Sequence, residues 1–184
     1  DTLTLKDVFK YEQFWIDRYE IEEFRFGDGT VWTAASVRTK LLDTESTTGN
    51  DAITGFQYDD TLEGGLGDDY LTGLEGNDTY VFNAGDGHDT IYDDGPTFGS
   101  SVKILINEYT VFDLRVSRPA GSNDILLTFV GTTDSILLND NAISYIGTNI
   151  EYVTFEDGTV LTMADVKQLR VAQAATAGND TIEG

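Results

Sequence analysis

The chain has 184 residues, in which 33 Asp and Glu stand against 11 Lys and Arg for a formal net charge of -22. That balance argues against nucleic acid and anionic membrane as partners and in favour of cations. A hydrophobic share of 40% excludes a simple disordered acidic tail, and the absence of cysteine excludes disulfides and thiolate metal sites.

Residues 1–45 read as a flanking segment that closes a preceding module. They contain no apolar run of transmembrane length and no basic-then-apolar order of a signal peptide, so membrane insertion is not expected. The chain opens in mid-pattern, as a piece of something longer would. In FRFGDGTVWTAASVR (24–38), the GDG at Gly27–Gly29 makes a tight turn, and Thr33 starts a short helix with Val37 and Leu41 facing inward. Trp15, Trp32, Phe24 and Phe26 are expected in the core of this segment.

Residues 46–95 differ in kind. Between Lys40 and Lys103 there is no Lys or Arg, yet the interval holds 14 Asp and Glu. Such a stretch opposes its own compaction unless cations join it. Asp51, Asp60, Asp69 and Asp78 stand nine residues apart, and Asp89 follows after eleven. Two residues after each comes a large apolar side chain: Ile53, Leu62, Leu71, Tyr80 and Ile91. Gly49, Gly67, Gly76 and Gly87 lie two residues before four of the five. The unit is G-G-x-G-x-D-x-U-x, matched in full by GGLGDDYLT (64–72), and this nonapeptide is the signature of a calcium-binding parallel β-helix.

The spacing has a physical reading. Six residues make a turn, in which glycine supplies positive φ and close backbone approach. Three make a short strand whose middle side chain points into the coil. Two units complete one coil, so Asp51 lies under Asp69, Asp60 under Asp78, and Asp69 roughly faces Asp89. Carboxylates and carbonyls suit a hard cation that accepts flexible oxygen shells, which is calcium rather than magnesium. Zinc and copper want His or Cys, and the chain has one His and no Cys.

Residues 96–172 read as a β-rich block with a short helix. VKILI (102–106), LRVSR (114–118), DILLTFV (124–130) and SILLN (135–139) are strands, and EDG (156–158) is a turn between Phe155 and Val160. Thr162 N-caps a helix to about Arg170, with Asp165 in a capping box and Met163, Val166 and Leu169 on one face. The region from Tyr145 to Tyr152 is expected as core. A longer repeat joins the ends. The 24–38 stretch returns as VTFEDGTVLTMADVK (153–167), at an offset of 129, and TGNDAITG (48–55) returns as AGNDTIEG (177–184). DTLTLKD (1–7) likewise resembles DSILLND (134–140). Residues 173–184 therefore read as the start of the next repeat block. Neighbouring tandem modules of the same chain are expected partners.

The nonapeptides resemble those of the RTX (repeats-in-toxin) family of secreted bacterial proteins, and the strands beside them resemble its haemolysin-type flanking domain. The resemblance implies an all-β fold: a calcium-bound parallel β-roll, the RTX solenoid, with flanking capping strands and a short helix. It also implies a ligand set. The carboxylate at position 6 and the backbone carbonyls at positions 2 and 4 carry over to Gly65, Gly67 and Asp69, to Leu74, Gly76 and Asp78, and to Gly85, Gly87 and Asp89. Thr47, Gly49 and Asp51, and Phe56, Tyr58 and Asp60, fit less well, and Tyr58 stands where glycine belongs. Roughly three or more calcium ions are implied. The implied role is a calcium-binding module of a type I-exported bacterial protein that folds outside the cell. Alternatives are an adhesion module recognising a surface or host ligand, and the C-terminal secretion part of a toxin or hydrolase.

The remaining candidates carry no chemistry of their own. His88 sits within a repeat turn with no nucleophile or metal partner in view, and Asp68–Asp69 is a glycosidase-like pair only in composition. Asn77 and Asn179 fit a glycosylation sequon through the repeat's own G-N-D-T. No enzyme is expected.

Overall fold

The computed structural model describes residues 23–93, 101–139 and 150–174. The expectations for Trp15, for Tyr145 and for the repeat start beyond Ala174 lie outside the described residues. Among the described residues no helix is long and apolar enough to cross a membrane.

Strands β1 (Glu23–Arg25) and β2 (Val31–Thr33) form a hairpin that leads into helix α1 (Ala34–Glu45). Thr33 caps the helix, its Oγ1 accepting the Ser36 N–H at 3.1 Å. The helix packs on β2 and on the strands of the first two repeats, at Ala52–Thr54 and Thr61–Glu63. Leu42 is the residue it buries there, and Leu41 faces solvent. This corrects the expected inward Leu41: the helix is turned so that Leu42, about 100° further round, meets the strands and Leu41 points to water.

The repeats then lay down short strands: β3 (Ala52–Thr54), β4 (Thr61–Glu63), β5 (Tyr70–Thr72), β6 (Thr79–Phe82) and β7 (His88–Tyr92). They continue into β8 (Val102–Ile106), which has the bounds expected of VKILI. Successive strands alternate between two sheets. β3, β5 and β7 pair in parallel in one sheet, and β4, β6 and β8 pair in parallel in the other. The registers are the expected ones, with Ile53 beside Leu71 and Leu62 beside Tyr80.

Neither sheet ends there. β9 (Leu114–Ser117), β10 (Ile125–Phe129) and β11 (Ser135–Leu138) form an antiparallel set whose last strand lies parallel to β7. β12 (Ile150–Phe155) lies parallel to β8 and antiparallel to β13 (Val160–Thr162). Helix α2 (Met163–Ala174) follows, with the expected capping box: Asp165 N–H donates to Thr162 Oγ1 at 3.2 Å, and Thr162 N–H donates to Asp165 Oδ2 at 2.9 Å. The outcome is a six-stranded and a five-stranded sheet, mostly β with a little helix. The all-β class holds, and the expected parallel solenoid with flanking capping strands is corrected. The sheets are mixed, because β9, β10 and β13 extend the same hydrogen-bonded layers antiparallel.

The core lies between the two large sheets. Ile53, Leu62, Leu71, Tyr80 and Ile91 are all buried, as the repeat pattern requires, and so are Ile104, Leu114, Leu127, Ile136 and Val153. Each such aliphatic side chain contributes roughly 2 kcal/mol on burial. Phe129 stacks between Phe82 (5.5 Å between centroids) and Tyr109 (4.2 Å), joining the repeat strands to the later ones. Phe26, expected in a core, is exposed.

Candidate metal centre

The site is built by the turns between strands. Each turn lies directly on the one a coil away. Thr47 bridges to Gly65 and Gly67 to Gly87 in parallel ladders, and the backbone of Tyr58 runs against Gly76. Positions 2 and 4 take positive φ in three turns: Gly65 (+89°) and Gly67 (+137°), Leu74 (+72°) and Gly76 (+137°), Gly85 (+95°) and Gly87 (+104°). Leu74 holds a left-handed backbone that costs a non-glycine residue about 1–2 kcal/mol, so the turn geometry is imposed on the sequence there. Gly49 and Tyr58, at position 4 of the first two turns, are not among the residues with positive φ.

A ladder of side chains along position 5 ties the turns together. Asp68 N–H donates to Asn50 Oδ1 at 3.0 Å, His88 N–H to Asp68 Oδ1 at 3.2 Å, and Asn77 N–H to Asp59 Oδ1 at 2.8 Å. His88 is exposed, and its Nδ1 lies 3.0 Å from Ser135 Oγ.

The aspartates at position 6 stack inside this ladder. Asp51 N–H donates to Asp69 Oδ1 (2.8 Å), Asp69 N–H to Asp89 Oδ1 (3.1 Å), and Asp60 N–H to Asp78 Oδ1 (2.9 Å). One oxygen of each upper aspartate is thus used. The other, Oδ2 of Asp69, Asp78 and Asp89, is buried and has no hydrogen-bond partner. These side chains are 2%, 0% and 2% exposed. Buried polar atoms in native folds are nearly always partnered, so three orphans in one structural role point to a cation. Asp51 and Asp60 differ: their Oδ2 atoms accept the N–H groups of Thr47 and Phe56 in their own turns.

Electrostatics agree with the geometry. Burial, reinforced by neighbouring carboxylates, raises Asp78 to about 7 and Asp89 to about 8. Burial also raises Asp60, Asp69 and Asp86 above the ordinary carboxylate range. Arg38 of α1, whose guanidinium lies 4.0 Å from the centroid of the Tyr58 ring, acts in the opposite direction on Asp60. Among the described residues no group of three or more His, Cys, Asp or Glu gathers as a metal cluster. A cation held here must therefore draw on backbone oxygens as well as the stacked carboxylates, which is the donor set calcium accepts.

Some participants were not foreseen. Gly64 and Gly73 occupy position 1, where an added Cβ would strike Oδ2 of Asp69 and of Asp78, so their bareness keeps those oxygens clear. The doubled glycine of the repeat is the signal that could have shown it. Asp93 is buried and accepts the Tyr80 hydroxyl at 2.9 Å, and that hydroxyl in turn accepts Gly73 N–H at 2.7 Å. Asp134 accepts Gly85 N–H at 2.7 Å and the Tyr109 hydroxyl at 2.5 Å, which fixes the last repeat turn to the later strands. Nothing in the nonapeptide period marks Asp93 or Asp134.

Residues 45–80 match the RTX calcium-binding nonapeptide repeat (4 copies), and residues 1–36 and 124–165 match the haemolysin-type calcium binding protein related domain. No curated protein matches the chain closely enough to be compared with it. Stacked nonapeptide turns, buried unpartnered aspartates and both family matches make this chain an RTX calcium-binding repeat protein of the haemolysin type.

Proposed function

We propose that the chain is a module whose folding is completed by calcium after export. Residues 46–95 form a calcium-closed β-roll, and residues 96–172 cover its open end and complete both sheets. The carboxylates of Asp69, Asp78 and Asp89, with those of Asp51 and Asp60 below them, supply charge to three ions. One ion belongs to the Asp51/Asp69 pair, one to Asp69/Asp89 and one to Asp60/Asp78. The backbone carbonyls of Gly65, Gly67, Leu74, Gly76, Gly85 and Gly87 are the family's further ligands, with Thr47, Gly49, Phe56 and Tyr58 in the weaker first turns. Bound calcium supplies the positive charge that the interval between Lys40 and Lys103 lacks.

The observation that carries this reading is the trio of buried, unpartnered Oδ2 atoms. Folding that creates such oxygens is costly without an ion, and ion binding becomes folding free energy when it is present. A calcium-poor cytosol keeps the chain extended for type I export, and calcium-rich medium folds it outside. Calorimetric titration of the metal-free chain with calcium tests the site assignment. Three ions per chain are expected, and terbium should displace them; a single ion, or none, would overturn it.

A further inference from the structure

The unit β1–β2–α1 is a structural copy of β12–β13–α2. β2 and β13, and likewise α1 and α2, have bounds related by the same offset of 129 residues seen in the sequence. The hairpin registers agree as well. Glu23 pairs with Thr33 and Phe24 with Trp32 in one copy, and Tyr152 pairs with Thr162 and Val153 with Leu161 in the other. Even the turns repeat: Phe26 N–H donates to Thr30 O at 2.9 Å, and Phe155 N–H to Thr159 O at 2.8 Å.

The two copies differ in what covers them. β12 lies between β13 and β8, with Phe155 beside Ile106. β1 has β2 on one edge and, among the described residues, no strand on the other. Phe26 is accordingly 44% exposed, while its counterpart Phe155 is 1% exposed. The helices differ in both directions: α2 packs on β9 and buries Val166, whose counterpart Val37 of α1 is half-buried, whereas at a second position α1 is the covered copy. Leu42 of α1, packed toward β3 and β4, is 5% exposed, and its counterpart Val171 of α2 is 39% exposed. Val31 and Val160 are exposed in both copies. Each copy thus leaves bare the side that the other copy buries.

We infer that the β1–β2–α1 unit is a joint between successive copies of this module. The occupant of the free edge of β1 is the strand equivalent to β8 in a preceding copy, paired in parallel as β8 pairs with β12. The occupant of the Val171 face of α2 is the first repeat coil of a following copy, packed as β3 and β4 pack under α1. One strand–strand–helix unit then belongs to the end of one copy and the start of the next, and the array has no open sheet edge at its joints. The inference rests on the duplicated geometry and is independent of the calcium reading.

The test is a two-copy chain, residues 1–149 followed by residues 21–184, so that the second Phe26 meets the first Ile106. In the 184-residue protein, Phe26→Ser should change Tm by no more than about 2 °C, while Phe155→Ser should lower it by about 10 °C. In the two-copy chain, Phe26→Ser at the joint should match the larger loss; an equally small effect in both chains would overturn the joint. If the two-copy chain does not fold, a synthetic peptide of residues 101–108 is added to the 184-residue protein and amide exchange is followed. Slower exchange confined to β1 supports the joint, and unchanged exchange of β1 at millimolar peptide overturns it.

Discussion

Asp69 Oδ1 accepts the backbone N–H of Asp51, eighteen residues earlier, at 2.8 Å, while its Oδ2 lies buried without a partner. The same residue donates its own N–H to Asp89 Oδ1 at 3.1 Å. Asp69 therefore stands in the middle of a column of three carboxylates. Asp51, at the bottom of that column, is half-buried and already satisfied by Thr47.

Removing the middle member should hurt more than removing the lowest. On the proposed assignment Asp69→Ala takes a ligand from two ions, and loss of such charge beside a buried dication costs on the order of several kcal/mol. On the same assignment Asp51→Ala affects one ion at the first turn. Calorimetry should show the greater loss of calcium stoichiometry, and the higher calcium midpoint for folding, in Asp69→Ala. Equal stoichiometries and midpoints would argue against the shared column.

The position-1 glycines should matter through their missing side chain. Gly64→Ala places a methyl group against Oδ2, Cβ and Cγ of Asp69, so the carboxylate must turn away. A fall in calcium affinity of about 10–100-fold is expected, comparable to losing a residue that orients a metal ligand. Gly27→Ala, where the added carbon meets nothing within 4 Å, is the control and should bind as the parent does.

Acidity should act in opposite directions with and without calcium. Burial raises Asp78 to about 7 and Asp89 to about 8, above the values such groups have in the unfolded chain. Protons thus favour the metal-free fold. That contribution is full below about pH 4 and is lost as pH rises through 7 to 8. The metal-free chain should gain β-structure by circular dichroism between pH 8 and pH 5. On the proposed assignment calcium displaces these protons, so its folding midpoint should rise as pH falls from 8 to 6. A midpoint that does not move over that range would contradict the assignment of Asp78 and Asp89.

The strands after residue 100 should be indispensable. β6 depends on β8, and β7 on β11, for the second edge of each sheet. A chain ending at Gly99 loses both neighbours and should stay mostly unfolded in millimolar calcium, whereas one ending at Arg170 should fold. Both are checked by circular dichroism, and a short chain that folds at the same calcium concentration would show that the repeats need no cover.

Much of this was legible in local periodicity. The nine-residue spacing placed Ile53, Leu62, Leu71, Tyr80 and Ile91 inside and stacked Asp51 with Asp69, because side-chain alternation and coil length are short-range properties. The Thr162–Asp165 capping box was equally local. What lay beyond reach was long-range pairing. That SILLN would sit parallel to β7, or IEYVTF parallel to β8, depends on contacts across roughly fifty residues that no local pattern encodes. Asp134 was invisible for the same reason: its role comes from Gly85 and Tyr109, 49 and 25 residues away. Phe26 misled because an aromatic residue was assumed to be buried, whereas its ring meets Trp32 edge-on at 4.9 Å and otherwise faces solvent.

The central claim, that calcium completes this fold, is tested most directly by far-UV circular dichroism of the full chain in chelator and then across a calcium titration. β-structure should be largely absent in chelator and return cooperatively between about 10⁻⁴ and 10⁻³ M calcium, the range of extracellular calcium modules. A spectrum that is the same in chelator and in millimolar calcium would contradict it.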